Sequence, residues 1–172
     1  MNWPHDIGEK RTKTNAAEGN GEDVITIRQM DISDYDSVMT LWGQTENLSL
    51  KDADSRASIA AYLAKNPGLS FVAIDGQPID RQDIVGAVLV GTDGRRGYLQ
   101  HLAVDLHYRG QKIAQRLVQS ATEALAQQGI AKTHLFVLSN NLPAQDFYLK
   151  LGWQARDEIR MFSFNSSDNQ YV

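Results

Sequence analysis

The chain has 172 residues, 42% hydrophobic and 22% charged, with a formal net charge of −4; this suffices for one domain with its own core and makes a second unlikely. The absence of cysteine excludes disulfides, thiol nucleophiles and cysteine-based metal sites, and the acidic balance argues against a general nucleic-acid binder. No apolar run approaches the roughly 20 residues that cross a bilayer, so no membrane partner is expected.

Residues 1–23 are polar and rich in Gly, Asn, Glu and Lys, with Met1, Trp3 and Ile7 the only large apolar side chains. Such a segment buries too little surface to offset its ordering entropy and reads as a flexible leader, or a docking arm. It also lacks the apolar core of a secretory signal peptide, and the expected location is the cytoplasm. The histidines (His5, His101, His107, His134) show no helical His-x-x-x-His spacing, so no metal is expected.

The folded part is expected over residues 24–164. Val24–Arg28 alternates β-branched residues and predicts a strand. Ser33, with Asp36 three residues later, reads as a helix start, and Val38, Leu41 and Trp42 share one helical face. A second helix is predicted from about Asp54 to Lys65, with Ile59, Tyr62 and Leu63 inward and Asn66–Gly68 as its stop. Leu69–Ile74 predicts a strand, and 75–78 a turn followed by a polar loop to Asp83. Ile84–Val90 is a third, central strand. The Asp93-Gly94 pair marks a hairpin, whose Arg95 and Arg96 read as solvated tip charges. Tyr98–Val104 is the fourth strand.

A polar loop then opens a helix running to about Gln128, with Ile113, Leu117, Ala121, Ala124 and Leu125 on its buried face and Gly129 at its C-terminal end. Where that helix begins, unpaired N–H groups, the positive end of the dipole and the side chains of Arg109 and Lys112 make a cradle suited to phosphate or pyrophosphate. An ordinary strand–turn–helix connection is the alternative. Thr133–Leu138 is the fifth strand. Asn141 caps a short helix with Pro143 in its first turn and Gly152 at its end. Glu158–Phe164 predicts a last strand, and 165–172 a fraying polar tail.

Two blocks carry a family resemblance. Arg109-x-x-Lys112-x-Ala114 resembles the Gln/Arg-x-x-Gly-x-Gly/Ala loop of the GNAT acyltransferase superfamily. Some thirty residues on, the Asn141, Ala144, Phe147, Tyr148, Lys150, Gly152 and Trp153 series resembles that family's Asn-x-x-Ala-x-x-Phe-Tyr-x-Lys-x-Gly-aromatic signature. The resemblance implies an α/β (α+β) GNAT fold: a mixed, mostly antiparallel six- to seven-stranded sheet, helices on both faces, and central strands splayed for acyl-CoA. It implies acetyl-CoA as co-substrate. Leu102, Ala103 and Val104 would present a strand edge to the pantetheine arm. Main-chain N–H groups of Arg109, Gly110, Gln111, Lys112, Ile113 and Ala114 would hold the pyrophosphate, and Asn141, Ala144, Phe147, Tyr148 and Lys150 would line the second half of the cofactor site. Lys112 departs from the family glycine. It is expected to have helical dihedrals already, which a lysine accepts.

The chemistry expected is direct transfer of an acetyl group to a primary amine. By resemblance Tyr148 stands near the sulfur, where a phenol with a pKa near 10 can protonate the departing thiolate; its alternative is a core tyrosine packed beside Phe147, with its hydroxyl tied to backbone. Asn141 would both cap its helix and bond the pantetheine arm. Many relatives carry a glutamate base on the fourth or fifth strand, whereas here those strands offer Gln100, His101 and Phe136. His101 is the candidate base because imidazole titrates near neutrality; a core histidine with a water relay is the alternative. Glu46, in the polar connection after the first helix, could hold an amine or merely be solvated.

The acceptor is expected to be a small-molecule or peptide amine, and the protein a monomer or homodimer. A catalytically weak acyl-CoA sensor or interaction module on the same fold is the rival reading. A nucleotide-binding protein is remoter, since the chain has no Gly-x-x-x-x-Gly-Lys-Ser/Thr loop.

Overall fold

The computed structural model describes residues 25–76 and 83–169. The strand predicted from Val24 forms as β1 (Thr26–Gln29), followed by α1 (Tyr35–Gln44) and α2 (Arg56–Lys65). Three strands follow, β2 (Phe71–Asp75), β3 (Asp83–Thr92) and β4 (Gly97–Val104), then α3 (Ile113–Gln127), β5 (Thr133–Leu135) and α4 (Leu142–Lys150). The sheet runs β1-β2-β3-β4-β5, antiparallel except for the parallel β4–β5 pair. The proposed leader lies outside the described residues, as does most of the predicted loop between Ile74 and Asp83.

Period-2 alternation divides the core. Val72, Ile74, Ala87, Leu89 and Ala103 face α1 and α2, packing with Val38, Leu41, Trp42 and Ile59. Ala73, Val85, Val88, Val90 and Leu99 face α3, packing with Ile113, Leu117, Val118, Ala121 and Leu125. Helices on both faces leave the middle strands dry on both sides, which is why β3 reads as a continuous apolar run.

The start of the first helical segment differs from the sequence reading. Asp31, rather than Ser33, makes the capping box, accepting from Ser33 N and receiving Asp34 in return across a 3-10 turn at Ile32–Asp34. Asp34 is also held by both guanidinium nitrogens of Arg28, each at 2.7 Å. The preference has a cause: a carboxylate at 34 can serve the cap and the β1 arginine together, and Asp36 points to Arg56 instead.

The strand count also differs. Five strands form among the described residues, against six or seven expected, and β5 stops at Leu135 instead of Leu138. Glu158–Phe164 forms no ladder; its one backbone bond is the local Ile159 N to Arg156 O contact. Met161, Phe162 and Phe164 are therefore exposed.

Candidate active site

The site grows from the point where β4 and β5 part. Their parallel ladder has three rungs, Gly97 with Thr133, Tyr98 with His134 and Leu99 with Leu135, and then ends. Gln100–Val104 stay paired to β3 on one side. Towards Phe136–Leu138 their main-chain groups meet no partner among the described residues. An opening with free backbone donors and acceptors results, able to take an extended amide-bearing arm as an added strand. Leu102 and Val104 pack on the α3 side of this edge, and Ala103 is buried on the α1 side.

β4 leads through a 3-10 turn (Leu106–Tyr108) into the cradle. Asp105 accepts from His107 N at 2.8 Å, and the Tyr108 hydroxyl donates to Asp75 at 2.5 Å, tying the turn to the end of β2. That hydrogen bond pushes the Tyr108 pKa up to about 12. The Arg109 amide closes the turn onto Leu106 O at 3.5 Å, so it is partly spent. By contrast, the amides of Gly110, Gln111, Lys112, Ile113 and Ala114 donate to no protein acceptor among the described residues. Gly110 has φ 82° and Lys112 φ 61°. Left-handed residues interleaved in this way curl consecutive N–H groups into an anion-binding concavity. The first turn of α3 holds no acidic side chain to neutralise its positive end.

The expectation for Lys112 is therefore corrected. It does not have right-handed helical dihedrals but is the left-handed N-cap of α3, with φ 61° and ψ 16°. This is the conformation for which the family glycine is suited, because a Cβ crowds the neighbouring carbonyl there.

α4 flanks the opening as the second block predicts. The Asn141 side-chain oxygen caps Ala144 N at 3.2 Å, which leaves the amide NH2 without an acceptor among the described residues. Ala144 and Phe147 are half-buried, and Lys150 is exposed in the last turn. Tyr148 stacks edge-on between Phe147 (5.0 Å) and Trp153 (5.6 Å) on the α3 side of the sheet. Its hydroxyl makes no hydrogen bond among the described residues, unlike the backbone-tied core tyrosine that was the alternative. Burial pushes its pKa up to about 12.

His101 stands on the other face. Ala87 pairs with Ala103 but Leu89 with Gln100, so His101 and Leu102 together oppose Val88 in a β-bulge. The extra residue reverses the parity of β4: Leu99 and Leu102 both face α3, while His101, at φ 50°, turns to the α1 side. There Nε2 lies 2.8 Å from Asp54 Oδ1, and the ring meets the edge of Trp42 at 4.8 Å. The sequence reading missed Asp54, which is 47 positions away and reads locally as part of a helix start. The bulge did leave a trace, since Leu99 and Leu102 cannot share a face in strict alternation.

Glu46 is exposed and makes no hydrogen bond among the described residues. Nearer the cradle, a cavity of about 100 Å³ lies between the end of α1 (Leu41, Gln44, Thr45) and the Val104–Arg109 turn. A larger concavity between β1 and α3 lies away from the opening.

Known proteins resemble this chain in sequence and fold. The model of the acetyltransferase (GNAT) family matches residues 35–153. An acetyltransferase of Pectobacterium atrosepticum is 32% identical over 139 residues, covering 80% of this chain and 94% of its own. Among solved structures, the NatC complex bound to Gag peptide and CoA superposes with a TM-score of 0.64 at 24% identity, over 74% of this chain and 82% of the other. AAC(6')-Iy in complex with the bisubstrate analog CoA-S-monomethyl-acetylneamine superposes with a TM-score of 0.62 at 15% identity, over 83% and 99%. The strand opening, the amide cradle and the second signature block are thus found in a chain that belongs to the acetyltransferase (GNAT) family.

Proposed function

We propose that this protein transfers an acetyl group from acetyl-CoA directly to a primary amine of a small molecule or peptide. One observation carries the reading: five consecutive unpartnered amides, Gly110 to Ala114, curl at the head of α3 beside the unpaired edge of β4. That pairing of features fits a diphosphate joined to an amide-bearing arm. The two solved relatives, one bound to CoA and a peptide and the other to a CoA-linked amine, support the same ligand class.

Acetyl-CoA, when bound, supplies the activated carbonyl carbon that the amine attacks. The chain's own part is binding and proton handling. The cradle amides and the Arg109 and Lys112 side chains hold the diphosphate, and the free NH2 of Asn141 is placed to bond the arm. A main-chain N–H on the open edge of β4 serves as donor to the carbonyl oxygen. His101 takes the amine proton from the α1 face of the opening, and Tyr148 offers its phenol hydrogen to sulfur from the α3 face. With a pKa of about 12, Tyr148 keeps its proton throughout the working pH range. Full transfer to a thiolate whose acid has a pKa near 8.5 would be uphill by roughly 5 kcal/mol, so its part is hydrogen bonding to the departing sulfur more than outright protonation. The expected setting is the cytoplasm, as monomer or homodimer.

The test is thiol release from acetyl-CoA across a panel of primary amines, with thermal unfolding alongside. At about 100 times the dissociation constant, acetyl-CoA should add roughly 2.7 kcal/mol, or about 5–10 °C for a chain of this size. Stabilisation with amine-dependent thiol release supports the reading. Stabilisation without release for any amine would favour an acyl-CoA sensor, and absence of both would overturn the cradle assignment.

A further inference from the structure

His101 is held more firmly than a core histidine needs. It occupies a bulge at φ 50°, a conformation that costs a non-glycine residue energy and persists only where surroundings enforce it. The enforcing group is Asp54. Its side chain is 7% exposed against 23% for His101, and each part of the residue has an assigned partner. Oδ2 accepts from Lys51 N at 2.8 Å, the backbone oxygen accepts from the Tyr35 hydroxyl at 2.9 Å, and Oδ1 faces His101 Nε2 at 2.8 Å. Trp42 closes one side of the imidazole, and its buried Nε1–H has no acceptor among the described residues. Arg56 is committed elsewhere, lying over the Tyr35 ring and pairing with Asp36. A buried carboxylate only accepts, so the ring hydrogen of neutral His101 must sit on Nε2. Nδ1 makes no hydrogen bond among the described residues and is not among their fully buried unpartnered atoms, on a side chain 23% exposed.

We propose that Asp54 is the positioning residue for the base: it holds the His101 hydrogen on Nε2, so that Nδ1 is the lone pair that receives the proton of the acceptor amine. The proposal rests on the acetyl-transfer reading and gives it a specified atom. As the amine nitrogen bonds to the carbonyl carbon, the carbonyl electron pair moves to oxygen, the amine N–H bond breaks and Nδ1–H forms. The C–S bond then breaks as the carbonyl re-forms, and coenzyme A leaves as its thiolate. The resulting imidazolium is stabilised by the carboxylate at Nε2, and Nδ1 then passes the proton to water. The arrangement also accounts for a base on the side of the sheet opposite Tyr148: proton removal and sulfur departure are served from separate faces of one opening.

The Lys51 contact makes Asp54→Asn informative. Lys51 N needs an acceptor, so the asparagine oxygen takes the Oδ2 place and its NH2 faces His101. Nε2 must then accept, and the ring hydrogen moves to Nδ1, where it blocks the base. Ring-nitrogen NMR of 15N-histidine-labelled protein should show neutral His101 protonated at Nε2 in the wild type and at Nδ1 in Asp54→Asn. With an amine that the wild type turns over, Asp54→Asn should lower kcat roughly 10- to 100-fold, with KM for acetyl-CoA changed less than about threefold. His101→Gln should lose at least as much, and the double variant no more than His101→Gln alone.

A wild-type ring protonated at Nδ1 would overturn the proposal, even if Asp54→Asn fails to fold. So would an Asp54→Asn enzyme with undiminished kcat beside a crippled His101→Gln, which would make Asp54 a structural clamp only. Undiminished turnover in His101→Gln removes the base and the proposal together. Thiol release from no amine at all removes the reaction itself, a failure distinct from the others because the tautomer pattern would remain.

Discussion

Lys112→Gly tests whether the cradle exists before any ligand arrives. Lys112 caps α3 at φ 61°, and an L-residue there carries roughly 1–2 kcal/mol of steric cost. Glycine removes that cost but loses about 0.5–1 kcal/mol more chain entropy on folding. The net expectation is a stabilisation of about 0.5–1 kcal/mol, or roughly 1–4 °C in Tm for a protein of this length. The strain is already present without ligand, so its relief appears equally in the free and bound states and cancels from the affinity. What remains is loss of one exposed ammonium beside a diphosphate, which should weaken coenzyme A binding by less than about fivefold, and by less still at high salt. The assays are thermal unfolding without ligand and calorimetric titration with coenzyme A at two ionic strengths. A large gain in affinity would refute the reasoning, because it would mean that Lys112 resists the bound conformation instead of already occupying it.

Tyr148→Phe should lower turnover about 10- to 100-fold, the scale of one hydrogen bond to a departing thiolate, while leaving coenzyme A affinity within a factor of about two on the same titration; unchanged turnover would remove the phenol from the mechanism. The same variant tests a pH effect. Tyr148 titrates at about 12 when folded against an ordinary value of 10, so its contribution is complete below pH 10 and is lost as pH rises through 12. That loss is about 2–3 kcal/mol, and denaturant melts of Tyr148→Phe should show a shallower alkaline decline; an identical slope would contradict the buried position. Gly97→Ala places a methyl 2.5 Å from Leu125 Cδ1 and 2.9 Å from Thr133 Oγ1, at the first rung joining β4 to β5. It should cost about 1–3 kcal/mol in denaturant melts, and an unmoved midpoint would show that α3 yields there freely.

What could be read before the structure depended on how far apart the cooperating residues lie. The α3 face, the Asn141 cap and the Gly129 and Gly152 stops are local: their geometry is settled within a turn or two, and Ile113, Leu117, Ala121 and Leu125 emerge buried as their spacing implies. The cradle is nearly local, and its one misreading concerned a backbone angle. Nothing in Lys112 itself announces φ 61°; only the resemblance marks the position as one suited to glycine, and a lysine there reads as a residue with helical dihedrals. The failed last strand is a different case, because Glu158–Phe164 has a passable strand pattern yet pairs with no strand among the described residues. Asp54 lies furthest from local legibility. Its meaning depends on a bulge in β4 turning His101 through the sheet and on α1 presenting Trp42 and Tyr35 around it. In the sequence the fourth and fifth strands lack a carboxylate, which reads as a missing base. In three dimensions a carboxylate is supplied from the turn before α2, 2.8 Å from an imidazole nitrogen. The difference is chemical as well as spatial: a glutamate would act through its own oxygen, whereas on the proposal this pair would act through Nδ1 only while the other nitrogen keeps its hydrogen. An Asp54→Glu variant keeps the charge but lengthens the arm by a methylene, so on this account it should restore the Nε2 tautomer while displacing the ring.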